Sequence, residues 1–397
     1  MRQAFFAGLS VALASSASAQ WTVTVLHPND GDIRSSALTG GEPGLQTGNV
    51  SDSGFNAGGL WRGSVDSWVN LTRGVGLGEV HCVASGRLGG YVRTSGRDEA
   101  SLWNATTRVR TVLNPAGSGS GKILGMSATQ QVGTIRLDAS RSTYSAVVWS
   151  GNAASVVNLA PAAATESVAY GVHDGRQVGY VVLSGRNSRA SLWSGSAASR
   201  IDLNPADARQ SVATGIHGDQ QVGWVQIGDL LASLWRGSAQ SWVNLHPPGE
   251  ARSSSVAAVY NGVQVGYVFY PIVRTAALWR GSADTYENLS VYLPPSLAND
   301  SEATCVWSDA TTLYVGGYAT DIATGRSRAV IWSRQLVRDC VADFNGDGFV
   351  DFFDYADYVT CFETSTCPPG RTADANGDGF VDFFDYADFV VAFETAC

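Results

Sequence analysis

Residues 211–247 read SVATGIHGDQQVGWVQIGDLLASLWRGSAQSWVNLHP, and the pattern recurs through most of the chain. It contains four short strand-like segments: a run of small residues, a QVGW stretch, a stretch ending in Leu-Trp, and SWVNL. Gly, Ser and Asp separate them, as tight turns require. The Leu-Trp tryptophan returns as Trp61, Trp103, Trp149, Trp193, Trp235, Trp279 and Trp332, at intervals of 42, 46, 44, 42, 44 and 53 residues. Four short strands in a period of this length make one blade of a β-propeller.

In each unit the small-residue stretch (167–172, 211–216, 254–259) is expected to be the innermost strand, where side chains crowd around an axis. The second strand (177–181, 221–225, 264–268) carries Gly179, Gly223 or Gly266 at its centre, which lets a neighbouring Trp or backbone approach closely. The ends of the array predict closure. WTVTVLHP at 21–28 matches the fourth-strand sequence SWVNLHP, while the last unit stops after its third strand, 329–333. The first strand can therefore complete the last blade and remove an open sheet edge. This predicts a mainly β, seven-bladed propeller over 20–338, with six blades as the alternative if the weak unit at 35–61 forms none. Cys82 and Cys305 fall on matching innermost strands of the second and seventh units. One blade separates them in a seven-bladed ring, beyond disulfide reach, whereas in a six-bladed ring they are neighbours.

Composition agrees. The 397 residues are 44% hydrophobic and 15% charged, with 45 Gly that follow no three-residue period. That excludes a disordered or collagenous chain. The net charge of -9 is uneven: from Cys340 onward there are 12 acids and one base, Arg371, and the rest of the chain sums to +2. Neither part offers the basic patch that nucleic-acid binding needs. Residues 1–19, MRQAFFAGLSVALASSASA, have the three-part pattern of a secretory signal peptide, with cleavage expected before Gln20. No later segment is apolar for the ~20 residues of a membrane span. The expectation is a secreted protein, extracellular or at the cell surface, and six Cys suit an oxidising compartment.

The acidic tail, 339–397, carries the clearest chemical pattern. Asp343, Asn345, Asp347, Asp351 and Asp354 occupy positions 1, 3, 5, 9 and 12 of a twelve-residue loop, and Asp374, Asn376, Asp378, Asp382 and Asp385 repeat it 31 residues later. These are calcium-loop spacings, in which Phe349 and Phe380 at position 7 lend backbone carbonyls and Gly348 and Gly379 at position 6 permit the sharp turn. Two Ca²⁺ ions are expected. An apolar helical pattern follows each loop. Four Cys, Cys340, Cys361, Cys367 and Cys397, are expected to staple this small domain. Three pairings are open; joining Cys340 to Cys397 would clasp its ends and leave Cys361 with Cys367.

Two loop-helix units with Asp at position 12 and no clear entering helix resemble a type I dockerin module. That resemblance implies calcium-dependent attachment to a cohesin-like partner, with loop positions 10 and 11 helping the contact. Here these are Phe352 and Phe353, and Phe383 and Phe384, in place of the common Ser-Thr type pair. They either pack on each other or form a docking surface. The body resembles the bacterial extracellular repeat family named for its His-Ala-Phe motif, although its third strands read Ala-Ser-Leu-Trp or Ser-Ala-Val-Val-Trp. That resemblance implies an exported scaffold and no chemistry.

No catalytic constellation stands out. His27 and His246 share a repeat position, as do His173 and His217, which suggests turn structure; His81 has no triad partners in view. Tyr91, Tyr180, Trp224, Tyr267 and Tyr318 share one second-strand position and are expected to fill space between blades, the alternative being aromatic platforms for sugars on one face. The reading is a non-enzymatic binding or scaffold protein, with glycan or protein as the propeller's ligand. The alternative is a polysaccharide-active enzyme, hydrolase or lyase, on a dockerin-like tether.

Overall fold

The computed structural model describes residues 20–395, apart from 30, 32, 53–54, 141, 184–186, 337–339, 348, 369–370 and 378. The expected export segment, Asp378, Gly348 and Cys397 lie outside the described residues. Two compact units result: Trp21–Asp309 with Leu313–Ser333, and Ala310–Thr312 with the chain from Arg334 onward.

The larger unit is a seven-bladed β-propeller of four-stranded antiparallel sheets. Blades 1 to 6 comprise residues 33–70, 77–112, 121–158, 166–202, 210–244 and 253–288. Blade 7 takes three strands from 297–335 and its fourth from Thr22–Val25, pairing Thr22 with Ser333 and Val25 with Val330. Buried Leu26 extends the seam by donating its N–H to the Ala329 carbonyl at 2.8 Å. The weak first unit is a complete blade, so the six-bladed alternative falls. Cys82 and Cys305 are free thiols with blade 1 between them, as seven blades require.

The repeated letters have separate jobs. Each repeat Trp is at most 1% exposed. Trp235 of blade 5, for example, packs on Val178 and Leu192 of blade 4. The Gln opening the second strand is buried and accepts the N–H of the Gly two residues past the Trp: Gln177 from Gly195 at 2.8 Å, Gln221 from Gly237 at 2.6 Å. The Ser before the fourth strand closes the same turn, its Oγ accepting the N–H that follows the Trp, as in Arg236 to Ser241 at 2.8 Å. That strand is shorter than expected. A one-turn 3-10 helix, Ala239–Ser241, uses up the first residues and leaves only Val243–Asn244 in the ladder. The central glycines admit backbone, not Trp: a Cβ on Gly223 would stand 2.0 Å from the Val212 carbonyl oxygen of the adjoining strand.

One Ser on the first strand ties neighbouring blades. Its Oγ accepts the backbone N–H of an Ala on the third strand of the preceding blade: Ala146 to Ser167 at 2.8 Å, Ala190 to Ser211 at 2.9 Å, Ala232 to Ser254 at 2.8 Å and Ala276 to Ser301 at 3.1 Å. Ala329 to Ser36, at 2.9 Å, makes the same bond across the closure.

The smaller unit has two helices, α1 (Phe352–Thr364) and α2 (Phe383–Thr395). Tyr358 of α1 stacks on Phe389 of α2 with centroids 3.7 Å apart, and Phe344 meets both edge-on. Cys361 and Cys367 form a disulfide and Cys340 is also disulfide-bonded.

Ser211→Ala should leave the buried Ala190 N–H without its acceptor and cost about 1–3 kcal/mol. A urea unfolding curve measures this, with exposed Thr22→Ala as the near-neutral control.

Candidate functional site

In the tail, the two acidic loops share a left-handed Gly at position 4 and the bonding of Asp at positions 9 and 12, while their turn acceptors differ. Left-handed backbone falls on Gly346 and Gly377 at position 4 and on Gly379 at position 6, with φ of 76°, 75° and 91°, where a side chain would be strained. In the first loop Asn345 accepts the N–H of Asp347, and Asp347 that of Phe349, both at 2.9 Å. In the second, Asp374 accepts from Gly377 at 2.8 Å and Gly379 at 2.9 Å. Asp351 and Asp382, at position 9, accept N–H groups at the starts of α1 and α2. Position 12 folds back over each loop. Asp354 accepts from Asn345 and Asp351, each at 2.9 Å, and Asp385 from Ala375, Asn376 and Asp382 at 2.8–3.2 Å.

Burial pushes the Asp354 carboxyl up to about 6, against the pull of its two N–H donors. Asp385 is held below the usual carboxylate range, first by the Asp382 N–H. Among the described residues no three Asp, Glu, His or Cys side chains converge closely enough to hold a metal. The donor set nevertheless suits a hard cation: oxygen ligands at the required spacing on loops already bent by left-handed glycines.

Beside the loops, the four Phe at positions 10 and 11 do not pack away. Phe352, Phe353, Phe383 and Phe384 are 72%, 59%, 73% and 70% exposed. For comparison, Phe344 and Phe389 in the core of the same unit are 3% and 0% exposed.

In the propeller, each first strand shifts register at one equivalent place. The residues set into the shifts are Thr39, His81, Leu124, Tyr170, Thr214, Ala257 and Thr304, and all seven line an axial cavity of about 390 Å³. The only sequence sign of these bulges is the small residue or Cys that follows. At the end where the first and second strands join, the cavity opens into a funnel of about 670 Å³. There His173, His217 and Tyr260 follow one another ring on ring, 4.3 and 4.6 Å between centroids. Each His Nδ1 accepts the N–H of the next blade's turn, Gly218 or Asn261, at 3.3 Å. His27 and His246 likewise share a role, each Nδ1 lying 2.8 Å from a first-strand Ser hydroxyl. The histidines paired by repeat position are thus structural.

The second-strand aromatics depart from expectation. Tyr91 is buried, but Tyr180, Trp224, Tyr267 and Tyr318 are half-exposed, towards the end of the axis opposite the funnel. Between the blades the repeat Trp pack with Val, Leu, Ile and Ala, and these half-exposed aromatics are not part of those clusters. The first-strand carboxylates at that end are each engaged: Glu79 by Asn56 at 3.0 Å, Glu166 by the Tyr180 hydroxyl at 2.5 Å, and Glu302 by Arg274 at 2.6 Å.

No protein-family model matches the chain and no curated protein is similar to it. Solved structures are similar in fold. The β-propeller domain of the Trilobed protease from Pyrococcus furiosus, which has an open velcro topology, superposes with a TM-score of 0.51 at 8% identity over 76% of this chain and 98% of that one. A prolyl endopeptidase superposes with a TM-score of 0.50 at 10% identity over 76% of this chain and 50% of that one. An oligogalacturonate lyase from Vibrio parahaemolyticus gives 0.48 at 9% identity, over 80% and 98%. The chain thus spans half the length of the prolyl endopeptidase. At these identities the likeness is one of fold alone.

His81 projects into the axial cavity with about a fifth of its side chain accessible, its Nε2 3.7 Å from Glu79. Burial, reinforced by Lys122 and opposed by Glu79, pushes it down to about 4. An unfolded His titrates near 6.5, so between these values the unfolded chain binds the extra proton. Stability should be full above the upper value and fall as pH drops through the window. His81→Gln should remove about 2 kcal/mol of the loss between pH 7 and 5, read from urea midpoints at each pH.

Proposed function

We propose that this chain is a secreted, non-enzymatic binding and scaffold protein, a propeller tethered through a calcium-dependent, dockerin-like docking module. The observation that carries the reading is the four exposed Phe, placed identically in two acidic loops that differ only at position 2, Phe344 against Ala375. An apolar patch of this kind on a unit with so small a core is a docking surface. The resemblance of the body to the His-Ala-Phe repeat family supports an exported scaffold.

Asp343, Asn345, Asp347, Asp351, Asp354 and the Phe349 carbonyl would hold one Ca²⁺; Asp374, Asn376, Asp378, Asp382, Asp385 and the Phe380 carbonyl would hold the other. When bound, the ions neutralise loops that otherwise crowd four carboxylates each. The partner is a cohesin-like or other extracellular protein that meets Phe352, Phe353, Phe383 and Phe384 with an apolar face. Replacement of the Ser-Thr type pair by Phe-Phe suits a more hydrophobic partner than an ordinary cohesin. The rival reading, a polysaccharide-active enzyme, in its hydrolase form needs two carboxylates facing each other across a substrate. Glu79, Glu166 and Glu302 instead bond to an amide, a phenol and a guanidinium on separate blades or blade junctions.

Calorimetric titration of the full chain with calcium should give two ions per chain and a rise in thermal stability of the tail that EDTA reverses; no heat of binding would sink the proposal. Asp347→Ala should weaken one site and spare the other. Phe352→Ser with Phe383→Ser should leave calcium binding intact and abolish calcium-dependent capture of a partner from the secreted proteins of the source organism.

A further inference from the structure

Among the described residues, three of the seven blade junctions carry the same polar bridge, and the junction between blades 4 and 5 is one that does not. At the end opposite the funnel, a third-strand residue of one blade faces the first-strand residue of the next that lies opposite the second-strand aromatic position. Between blades 1 and 2 this is Asn56 donating to Glu79 at 3.0 Å. Between blades 2 and 3 it is Asp98 with Lys122 at 3.5 Å, and between blades 6 and 7 Arg274 with Glu302 at 2.6 Å. The bridging cation also covers a ring: Lys122 stands 4.0 Å above Tyr91, and Arg274 4.6 Å from Tyr267.

Between blades 4 and 5 the same two positions are Ser188 and Val212. No bridge can form, no cation covers a ring, and a pocket of about 530 Å³ opens instead. This is the size of a small-ligand cleft. The register's single Trp, Trp224, lies in its wall where four other blades have Tyr. Tyr170, the largest of the residues set into the strand shifts, forms the axial side, with its ring centroid 6.1 Å from that of Tyr180. Gln210 and Glu166 complete the polar lining, and Glu166 is its sole charged group. Among the described residues, the Trp224 indole N–H and the Tyr170 and Ser188 hydroxyls have no hydrogen-bond partner, so donors and acceptors are left facing the space.

We propose that this pocket binds a neutral pyranose sugar, its apolar ring face against Trp224 and its hydroxyls on Glu166, Tyr170, Ser188 and Gln210. A half-exposed aromatic wall beside an acceptor-only carboxylate and unpartnered hydroxyl groups matches a polyol with one apolar face. The lone carboxylate, with no cation in the lining, selects against uronates. The inference stands on the propeller and is independent of the calcium loops.

The test uses the full-length protein with cellobiose, maltose, xylobiose and digalacturonate, first by saturation-transfer NMR and then by calorimetry. At least one neutral disaccharide should bind, and digalacturonate should bind about tenfold or more weaker, a difference of ~1.4 kcal/mol. Trp224→Ala should weaken the neutral sugar about tenfold or more, with Trp224→Phe intermediate. Ser188→Arg with Val212→Glu installs the ion pair of the junction between blades 6 and 7 and should close the pocket to sugar. Near-UV circular dichroism checks that each variant is folded, and Trp224→Ala decides if the double variant is not. Binding by no neutral disaccharide, binding unchanged in either folded variant, or preference for digalacturonate overturns the proposal.

Discussion

One hydrogen bond holds the blades in their places: a Ser hydroxyl on the first strand of a blade accepts a backbone N–H from the third strand of the blade before it. The bond is buried and appears at five of the seven junctions, including the one that closes the ring. It works because the short fourth strand, whose next residue donates to the same Ala's carbonyl, leaves that N–H without a ladder partner, and it would otherwise be orphaned in a dry interface. The repeat Trp then fills the wedge between sheets, and the Gln that opens the second strand fixes the turn following the Trp. Removal of any one of these leaves a buried polar group or a void in a space two sheets share.

Much of this was legible in the sequence, because a repeat prints the same physical requirement many times. The Trp interval announced the blades, the match of 21–28 to 241–247 announced the closure, and the placement of Cys82 and Cys305 made their redox state a test of seven blades against six. The turns of the acidic loops were legible for a different reason, since side-chain spacing within a loop is local. What could not be read was whatever depends on a neighbour across a junction. Nothing in the letters marks Ser188 and Val212 as partners, because they meet only once blades 4 and 5 are side by side. Nor could the sequence decide whether the paired Phe of the tail packed together; the core is filled by Phe344, Tyr358 and Phe389, and the pairs are left outside.

The same reasoning separates scaffold from site. Residues that recur in register, such as His173 and His217, are accounted for by contacts that also recur. Residues that break register are where the scaffold makes no demand, and there the chain is free to do something particular. The same propeller architecture occurs as a domain of a protease, and a likeness at this identity is one of fold alone, so the fold by itself argues for no chemistry. The proposed functions therefore rest on the tail's exposed Phe and on the pocket at the unbridged junction between blades 4 and 5.

The closing strand has a consequence in time. Thr22 and its partner Ser333 are 311 residues apart, so the first strand must wait for nearly the whole propeller before it can pair. During that wait, six blades can form from contacts local to each, while the seventh keeps a bare edge. Ring formation is thus an all-or-nothing final step of very high contact order, and the slow stage of folding should be this last meeting of the two ends. A chain interrupted anywhere before residue 330 would never make it. The seam acts as a completeness check: an intact ring certifies that the entire body has been synthesised and folded.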